Sequence, residues 1–431
     1  MAESYTAGQT HNLLLFFSLE ENVYEHMILQ SCKKLYQQET HRTRSPEETY
    51  ELVKDLTSPA GITRVADITG LDRIGIPVFS CIRPVAAEGA ITVYNGKGAT
   101  PIAARVSAIM EGLERYSAEL HDRQTVTMTY DQIRSEKNAI HPDFLILPED
   151  TKQEWPIPWY PAYDIIRNEE IWVPAHAVFH PVPRIMGKLF RTSTNGIASG
   201  NTFEEAVFHS LCEIIERDAW SLVEACRLGG PVITNITHPV AADLIEKFRA
   251  AGVDVILRDI TSDLGIPTVA AVSDDTQLRD PTLLCIGMGT HLCKEIAILR
   301  ALTEVAQSRA TQIHGAREDT QSTHFLSKVG YDRAKRLNKK WFDPEPRISY
   351  DDMSSYHTDD FLDDIHIVID RLKEAGLDRV LVVDLTRPEI GIPVVRVIVP
   401  GLEHYAMDPE RLGERCRRAR RNYLPGSKPA S

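Results

Sequence analysis

The sequence predicts a mixed α/β protein, and two observations carry that reading. Short β-branched runs punctuated by Gly and Pro alternate with long helical segments. Three of those segments also share a polar stripe that an ordinary core helix would not carry. The stripes are Ser107-x3-Glu111-x2-Glu114-Arg115, His209-x3-Glu213-x2-Glu216-Arg217 and Arg300-x3-Glu304-x2-Gln307-x-Arg309. Positions i, i+4 and i+7 fall within about 60° of arc on one helix face.

Taken in chain order, residues 1–26 read either as an extension, including an upstream start, or as a native helix packed on the body. Leu13–Phe17 is a short apolar run without a basic flank, which makes a poor signal peptide. Residues 28–56 read as helix with a break, restarting at Ser45-Pro46-Glu47-Glu48 with a Ser N-cap and Pro at the first position. Between 61 and 95, Ile62, Val65, Ile68, Ile76–Phe79, Ile82 and Ile91–Tyr94 read as strands, and Asn95–Gly98 as a turn. The first stripe helix follows at 101–122. Residues 137–160 are Pro-rich and irregular, Ile171–Val173 is strand-like, and Thr192–Thr202 is a small-residue loop entering the second stripe helix. Val253–Leu257, Val269–Val272 and Leu283–Ile286 read as strands before the third stripe at 292–314. Residues 316–358 are polar and read as a surface excursion. A helix at 360–375 and strands at 380–384 and 394–399 close the body, and a basic helix ends at Leu424-Pro425-Gly426. The organisation expected is an N-terminal segment (1–60), one main domain (61–402) and a basic C-terminal helix and tail (403–431).

Composition narrows the function. A net charge of −13 argues against a general nucleic-acid or membrane-surface binder. Seven scattered cysteines with no CxxC fit reduced thiols in the cytoplasm. Histidines offer little: there is no HExxH, and prolines at 174, 181 and 183 argue against a helical His176/His180 metal pair. The Arg415–Arg421 cluster reads as a solvated basic face. A single ExxER motif is ordinarily an exposed salt-bridged stripe. Here, small apolar residues surround the glutamates, so the helices should be buried, and buried like charges need a partner. Glu111 with Glu114, and Glu213 with Glu216, each aim two carboxylates at one place. Glu205 lies about 20° from Glu216 on the same face. Such oxygens suit Mg²⁺ shared with phosphates. Lys97, in Gly96-Lys97-Gly98, and Asn195 and Asn201, in a second Gly-bearing loop, each precede a helix N-terminus that favours an anion. No Walker loop is present, and no cysteine nucleophile or catalytic base stands out.

Together, SxxxExxER at Ser107–Arg115, NGxAxGN at Asn195–Asn201, ExxER at Glu213–Arg217 and ALxExxQxR at Ala301–Arg309 resemble the ATP-binding signature of the YcaO superfamily. Gly96-Lys97-Gly98 and Asp384-Leu385-Thr386 with Gly391-Ile392-Pro393 also match, so the resemblance spans about residues 60–402. It implies a YcaO-type fold, with several sheets and helices lining a non-Walker ATP site, that takes ATP and Mg²⁺. By motif position, the carboxylates for metal or nucleotide are Glu111, Glu114, Glu205, Glu213, Glu216 and Glu304. The nucleotide contacts are Lys97, Ser107, Asn195, Asn201, Arg217, Gln307 and Arg309. Ala198 stands where some relatives carry Ser, so that phosphate contact is expected either to be missing or to be replaced by Ser199.

Gly61–Phe79, Ile82-Arg83-Pro84 and Val93–Gly98 are similar to one branch, the methanogenesis-marker YcaO proteins of methanogenic archaea. That resemblance implies ATP-dependent thioamidation of a glycine in the α subunit of methyl-coenzyme M reductase. The amide-derived oxygen would be phosphorylated and then replaced by sulfur. It also implies a peptide substrate, a TfuA-type partner or sulfide donor, and a homodimer. Leu424–Ser431 is not the Pro-rich tail of the azoline-forming branch, which makes cyclisation the less expected reaction. Azoline or amidine formation, and a nucleotide-binding accessory role in sulfur insertion, are the competing readings.

Overall fold

The computed structural model describes residues 24, 27–151, 154–317 and 328–423. The expectations for residues 1–26, Tyr24 aside, and for the tail after Tyr423 lie outside these. The mixed α/β expectation is met by three larger sheets, each with a stripe helix laid across it.

The chain enters through a small hairpin, β1 (Tyr36–Gln37) and β2 (His41–Arg42). The helix expected over residues 28–44 is therefore absent. Two-residue strands bury too little to leave a period-2 signature. The restart at Ser45 is as expected: α1 (Pro46–Val53) begins with a complete capping box between Ser45 and Glu48.

A three-stranded antiparallel sheet follows, β3 (Arg64–Asp67), β4 (Val78–Ile82) and β5 (Val93–Lys97), with Phe79 opposite Gly96. Asn95–Lys97 thus belong to a strand and not to the expected turn. Thr100 caps α2 (Pro101–Ala118) by accepting from the Ala103 N–H, and Pro101 takes the first position. The helix packs Ala108, Ile109 and Leu113 with Ile62, Cys81 and Tyr94 of the sheet side.

The second sheet runs in the order β6 (Val126–Met128), β7 (Ile157–Asp164), β15 (Leu381–Asp384), β16 (Val394–Ile398), β9 (Ile197–Ser199). β8 (Glu169–Pro174) also pairs with β7. After β6, α3 (Tyr130–Glu136) is a short capped helix. β9 forms inside the expected small-residue loop, placing Ala198 opposite Val395. Thr202 then caps α4 (Phe203–Cys226), whose Phe208 and Leu211 pack with Val382, Val395 and Val397.

The third sheet is β13 (Ile286–Thr290), β12 (Thr268–Asp274), β11 (Asp254–Asp259), β10 (Val232–Thr234), β14 (Arg347–Ser349). Its core includes Phe248 of α5 (Pro239–Ala250) and Leu302 and Val305 of α6 (Lys294–His314). α6 stops at Gly315, in the left-handed region at φ 62°.

Of the expected surface excursion at 316–358, residues 318–327 lie outside the described residues, and residues 328–358 are more than an excursion. After α7 (Tyr331–Leu337), Trp341 and Tyr350 are buried, and β14 runs parallel to β10. Its alternation is too brief to register beside so many charges. Next comes α8 (Phe361–Glu374), and then β15 and β16 close the second sheet. α9 (Glu414–Tyr423) follows, and it is not wholly a solvated basic face. Arg415 is 7% exposed and bidentate to buried Asp218. All seven cysteines are free thiols, and no helix among the described residues is long and apolar enough to cross a membrane.

Candidate active site

The three stripes face one cavity of about 960 Å³. α2 contributes Ser107, Glu111, Glu114 and Arg115; α4 contributes Glu205, His209, Glu213, Glu216 and Arg217; and α6 contributes Arg300, Glu304 and Gln307. Lys97 reaches in from the end of β5, and Ser199 and Asn201 from the turn between β9 and α4.

The helices come close to their strands because the strands, and the turn leading into α4, carry glycine. A Cβ at Gly96 would overlap the backbone of Ala108, one at Gly289 would overlap Ala297 O, and one at Gly200 would lie 2.5 Å from Ala206 N. The spacing that sets the stripes around the cavity is thus built into the sheets.

The charges interlock across elements. Lys97 Nζ pairs with Glu304, whose Oε1 accepts from Met288 N at 3.3 Å. Burial pushes the Glu304 carboxyl up, but Lys97 and then Arg217 outweigh it and hold it below the usual range. Glu216 goes the other way. It is 2% exposed, and burial raises it although Arg217, 3.4 Å away, opposes the shift. Glu114 is pushed up to about 8, chiefly by burial and against the pull of Arg115, although the Ser199 N–H donates to it at 3.0 Å. Arg115 bridges α2's own pair, 3.1 Å from Glu111 and 3.4 Å from Glu114.

Glu205 is already well satisfied. Its Oε2 accepts from Thr43 N at 2.9 Å and Thr43 Oγ1 at 2.8 Å, and its Oε1 accepts from Asn201 Nδ2 at 3.2 Å. It ties the β1–β2 hairpin to the start of α4. Ser107 Oγ accepts from Lys97 N at 3.3 Å, and Gln307 Nε2 donates to Asn95 O.

Two expected contacts lie elsewhere. Arg309 is fully buried, donating to Asp72 at 2.8 and 3.2 Å and to Asp275 at 3.2 Å. Its charge is spent on the junction between the first and third sheets, because i+9 from Arg300 lies on another face of α6. Asn195 is 4% exposed and lines a smaller neighbouring cavity, with its Nδ2 3.2 Å from His404 Nδ1. The other expected residues all line the main cavity.

Sequence reasoning left out Arg42, Arg115, His209 and Arg300 as site residues, and His180, Arg191, His404 and Arg411 from loops. Arg115, His209 and Arg300 stand inside the stripes and were within reach of the pattern. The loop residues have no periodicity to mark them.

The donor set fits Mg²⁺ and a polyphosphate. Glu216 Oε2 is buried with no hydrogen-bond partner, and burial raises Glu114 despite the pull of Arg115. Carboxylate oxygens of this kind are ligands for a hard cation. Arg300 Nε is likewise buried and unpartnered, a donor available to an anion.

Comparison with known proteins agrees. Residues 95–403 match the family described as YcaO cyclodehydratase, ATP- and Mg²⁺-binding. An uncharacterised protein of Methanothermobacter thermautotrophicus is 52% identical over 379 residues, covering 86% of this chain and 97% of its own. An uncharacterised protein from the tfuA 3′ region of Rhizobium leguminosarum bv. trifolii is 32% identical, covering 84% and 88%. The structure of YcaO from Methanopyrus kandleri bound with AMPPCP and Mg²⁺ superposes with a TM-score of 0.76 at 31% identity, covering 93% of this chain and all of that one. The carboxylate stripes, the fold they sit in and the extent of these matches lead to one conclusion: this chain belongs to the YcaO family and uses ATP and Mg²⁺.

Proposed function

We propose that this protein installs a thioamide in a peptide backbone, with a glycine of the methyl-coenzyme M reductase α subunit as its target. The observation that carries the finer reading is the segment 61–98. Its similarity to the methanogenesis-marker branch lies in the very strands, β3 to β5, that pack on α2 and end in Lys97 at the cavity. The methanogen relative, similar over almost its whole length, supports it.

Six carboxylates, Glu111, Glu114, Glu205, Glu213, Glu216 and Glu304, are the ones proposed to hold Mg²⁺ and order the nucleotide, with Glu205 bracing the hairpin as well. Lys97, Ser107, Asn201, Arg217 and Gln307 are the proposed nucleotide contacts, joined by Arg115 and Arg300. ATP with Mg²⁺ supplies a phosphoryl group that makes the amide-derived oxygen a leaving group. Fixed guanidinium groups then stabilise the charge on that group as it moves, without reorganising.

The sulfur comes from outside the chain. Every cysteine thiol is raised, chiefly by burial, and none lines the cavity. A raised thiol is a poor nucleophile at neutral pH. Sulfide, or a partner of the TfuA type, fills this role, in keeping with the tfuA-region relative.

The test is the mass of a reductase-derived glycine peptide after incubation with protein, ATP, Mg²⁺ and sulfide. A gain equal to sulfur for oxygen is expected. Loss of one water would instead show cyclodehydration, and an unchanged peptide that reacts only with a second enzyme would show an accessory role. Glu213→Gln should abolish ATP turnover; full turnover in that variant would sink the metal assignment.

A further inference from the structure

Away from the stripes, His41, Cys293 and His357 bring two imidazoles and a thiol to one point. One ligand atom from each lies within 4.8 Å of the others. The three come from distant parts of the chain: His41 opens β2, Cys293 precedes the first turn of α6, and His357 lies just before α8. His41 is 4% exposed, and its Nδ1 has no hydrogen-bond partner. A buried ring nitrogen left so carries a desolvation cost that a ligand would relieve. The His41 ring lies 5.0 Å from that of His357 and 4.9 Å, edge-on, from that of His291. Cys293 makes no side-chain cap on α6; its thiol donates to Glu295 Oε2 at 3.0 Å. Lys34, whose charge bears on His41, is neutralised by buried Asp364.

The geometry points to a zinc site made by His41, Cys293 and His357, with solvent at the fourth position beside the exposed His357. Imidazole and thiolate together select Zn²⁺ over the hard cation of the ATP cavity. Tetrahedral bond lengths place donors about 3.4–3.6 Å apart, so the side chains draw in by about 1 Å on binding. The thiol proton now donated to Glu295 leaves to solvent as the Zn–S bond forms, and no redox change occurs.

The site has a consequence for the cavity. The next residues after His41 are Arg42, which lines the cavity, and Thr43, which donates twice to Glu205. α6, which begins just after Cys293, carries Arg300 and Glu304. Zinc would pin the hairpin to α6 and so fix two walls of the ATP site.

Metal-free full-length protein, held in excess Mg²⁺ to occupy hard-cation sites, is titrated with Co²⁺ as a spectroscopic stand-in for Zn²⁺. One equivalent should give a thiolate-to-Co²⁺ charge-transfer band and intense tetrahedral d–d bands, both bleached by Zn²⁺. Cys293→Ser should lose the charge-transfer band with native circular dichroism. His357→Ala removes an exposed side chain, which keeps the fold safe. It should weaken Co²⁺ binding more than about a hundredfold, beyond the 10–100-fold cost of losing an outer-shell partner. Uptake of Co²⁺ without a charge-transfer band, no uptake at all, or a band that persists in Cys293→Ser would overturn the site. If Cys293→Ser does not fold, unchanged affinity in His357→Ala overturns it alone.

Discussion

Glu216 and Arg309 show how two charged residues of equal burial serve different ends. Glu216 Oε2 has no partner, so the fold bears its desolvation cost without return. Glu216→Gln should therefore raise the melting temperature of the ligand-free protein while lowering ATP turnover by about 100-fold or more, the scale of losing one preorganised electrostatic group. Calorimetry and phosphate release check the two halves. Arg309 is fully satisfied, by Asp72 and Asp275. Arg309→Ala strands the buried Asp72 carboxylate, while Asp275 keeps Arg73, and should cost roughly 3–5 kcal/mol of stability. Its denaturation midpoint should fall, while any folded fraction keeps the wild-type KM for ATP. The sequence placed both residues on striped helices and could not tell them apart. Asp72 is 237 positions from Arg309, and nothing local announces that pairing. Glu114 adds a pH dependence. Its folded carboxyl titrates at about 8 against an ordinary 4.5. A raised carboxyl contributes most stability below the ordinary value and loses it as pH climbs through 8. A cation favours the ionised form, so Mg²⁺–nucleotide binding near pH 7 should release protons and tighten toward pH 8. Titration calorimetry in two buffers of different ionisation enthalpy measures that release.

At the level of elements, glycine is where sequence and structure diverge most usefully. Gly96-Lys97-Gly98 reads as a flexible turn, yet Gly96 lies within β5 opposite Phe79. Glycine is there for proximity: the α2 backbone occupies the space a side chain would need. Loose turn and tight crossing share one residue type, and only the tertiary neighbour distinguishes them. Gly96→Ala should push α2 off its sheet, at roughly 1–3 kcal/mol or more of overpacking strain, with a lower melting temperature and a higher KM for ATP. A wild-type KM would show that α2 does not need this strand to place Glu111 and Glu114. The long helices were legible because 3.6-residue periodicity recurs over many turns; the structure closes them with Thr100-Pro101 at the start of α2 and Gly315 at the end of α6. β1, β2, β9 and β14 were not, since a strand of two or three residues holds no period.

Across the whole molecule, a net charge of −13 must still admit a triphosphate. The cavity does so by interleaving signs. Arg115, Arg217, Arg300 and Lys97 stand among the glutamates of three separate helices, and basic and acidic groups nearly balance there while the rest of the surface repels anions. Balance of this kind makes nucleotide binding conditional. Without a divalent cation, the ionised carboxylates oppose the phosphates and offset part of the arginines' attraction; with it, Glu114 and Glu216 ionise as ligands and both sets are satisfied together. Because α2, α4 and α6 each belong to a different sheet, one ligand also joins three otherwise separate cores. AMPPCP with Mg²⁺ should raise the unfolding free energy by about 2.7 kcal/mol at a ligand concentration of 100 times Kd. AMPPCP in EDTA should give almost no rise. Mg²⁺ alone should give only a small one, because water must then complete a shell that phosphate oxygens would fill. Differential scanning fluorimetry of the three samples separates these cases. Equal stabilisation with and without Mg²⁺ would mean that the arginines bind nucleotide unaided and that the carboxylate stripes serve some purpose other than holding a cation.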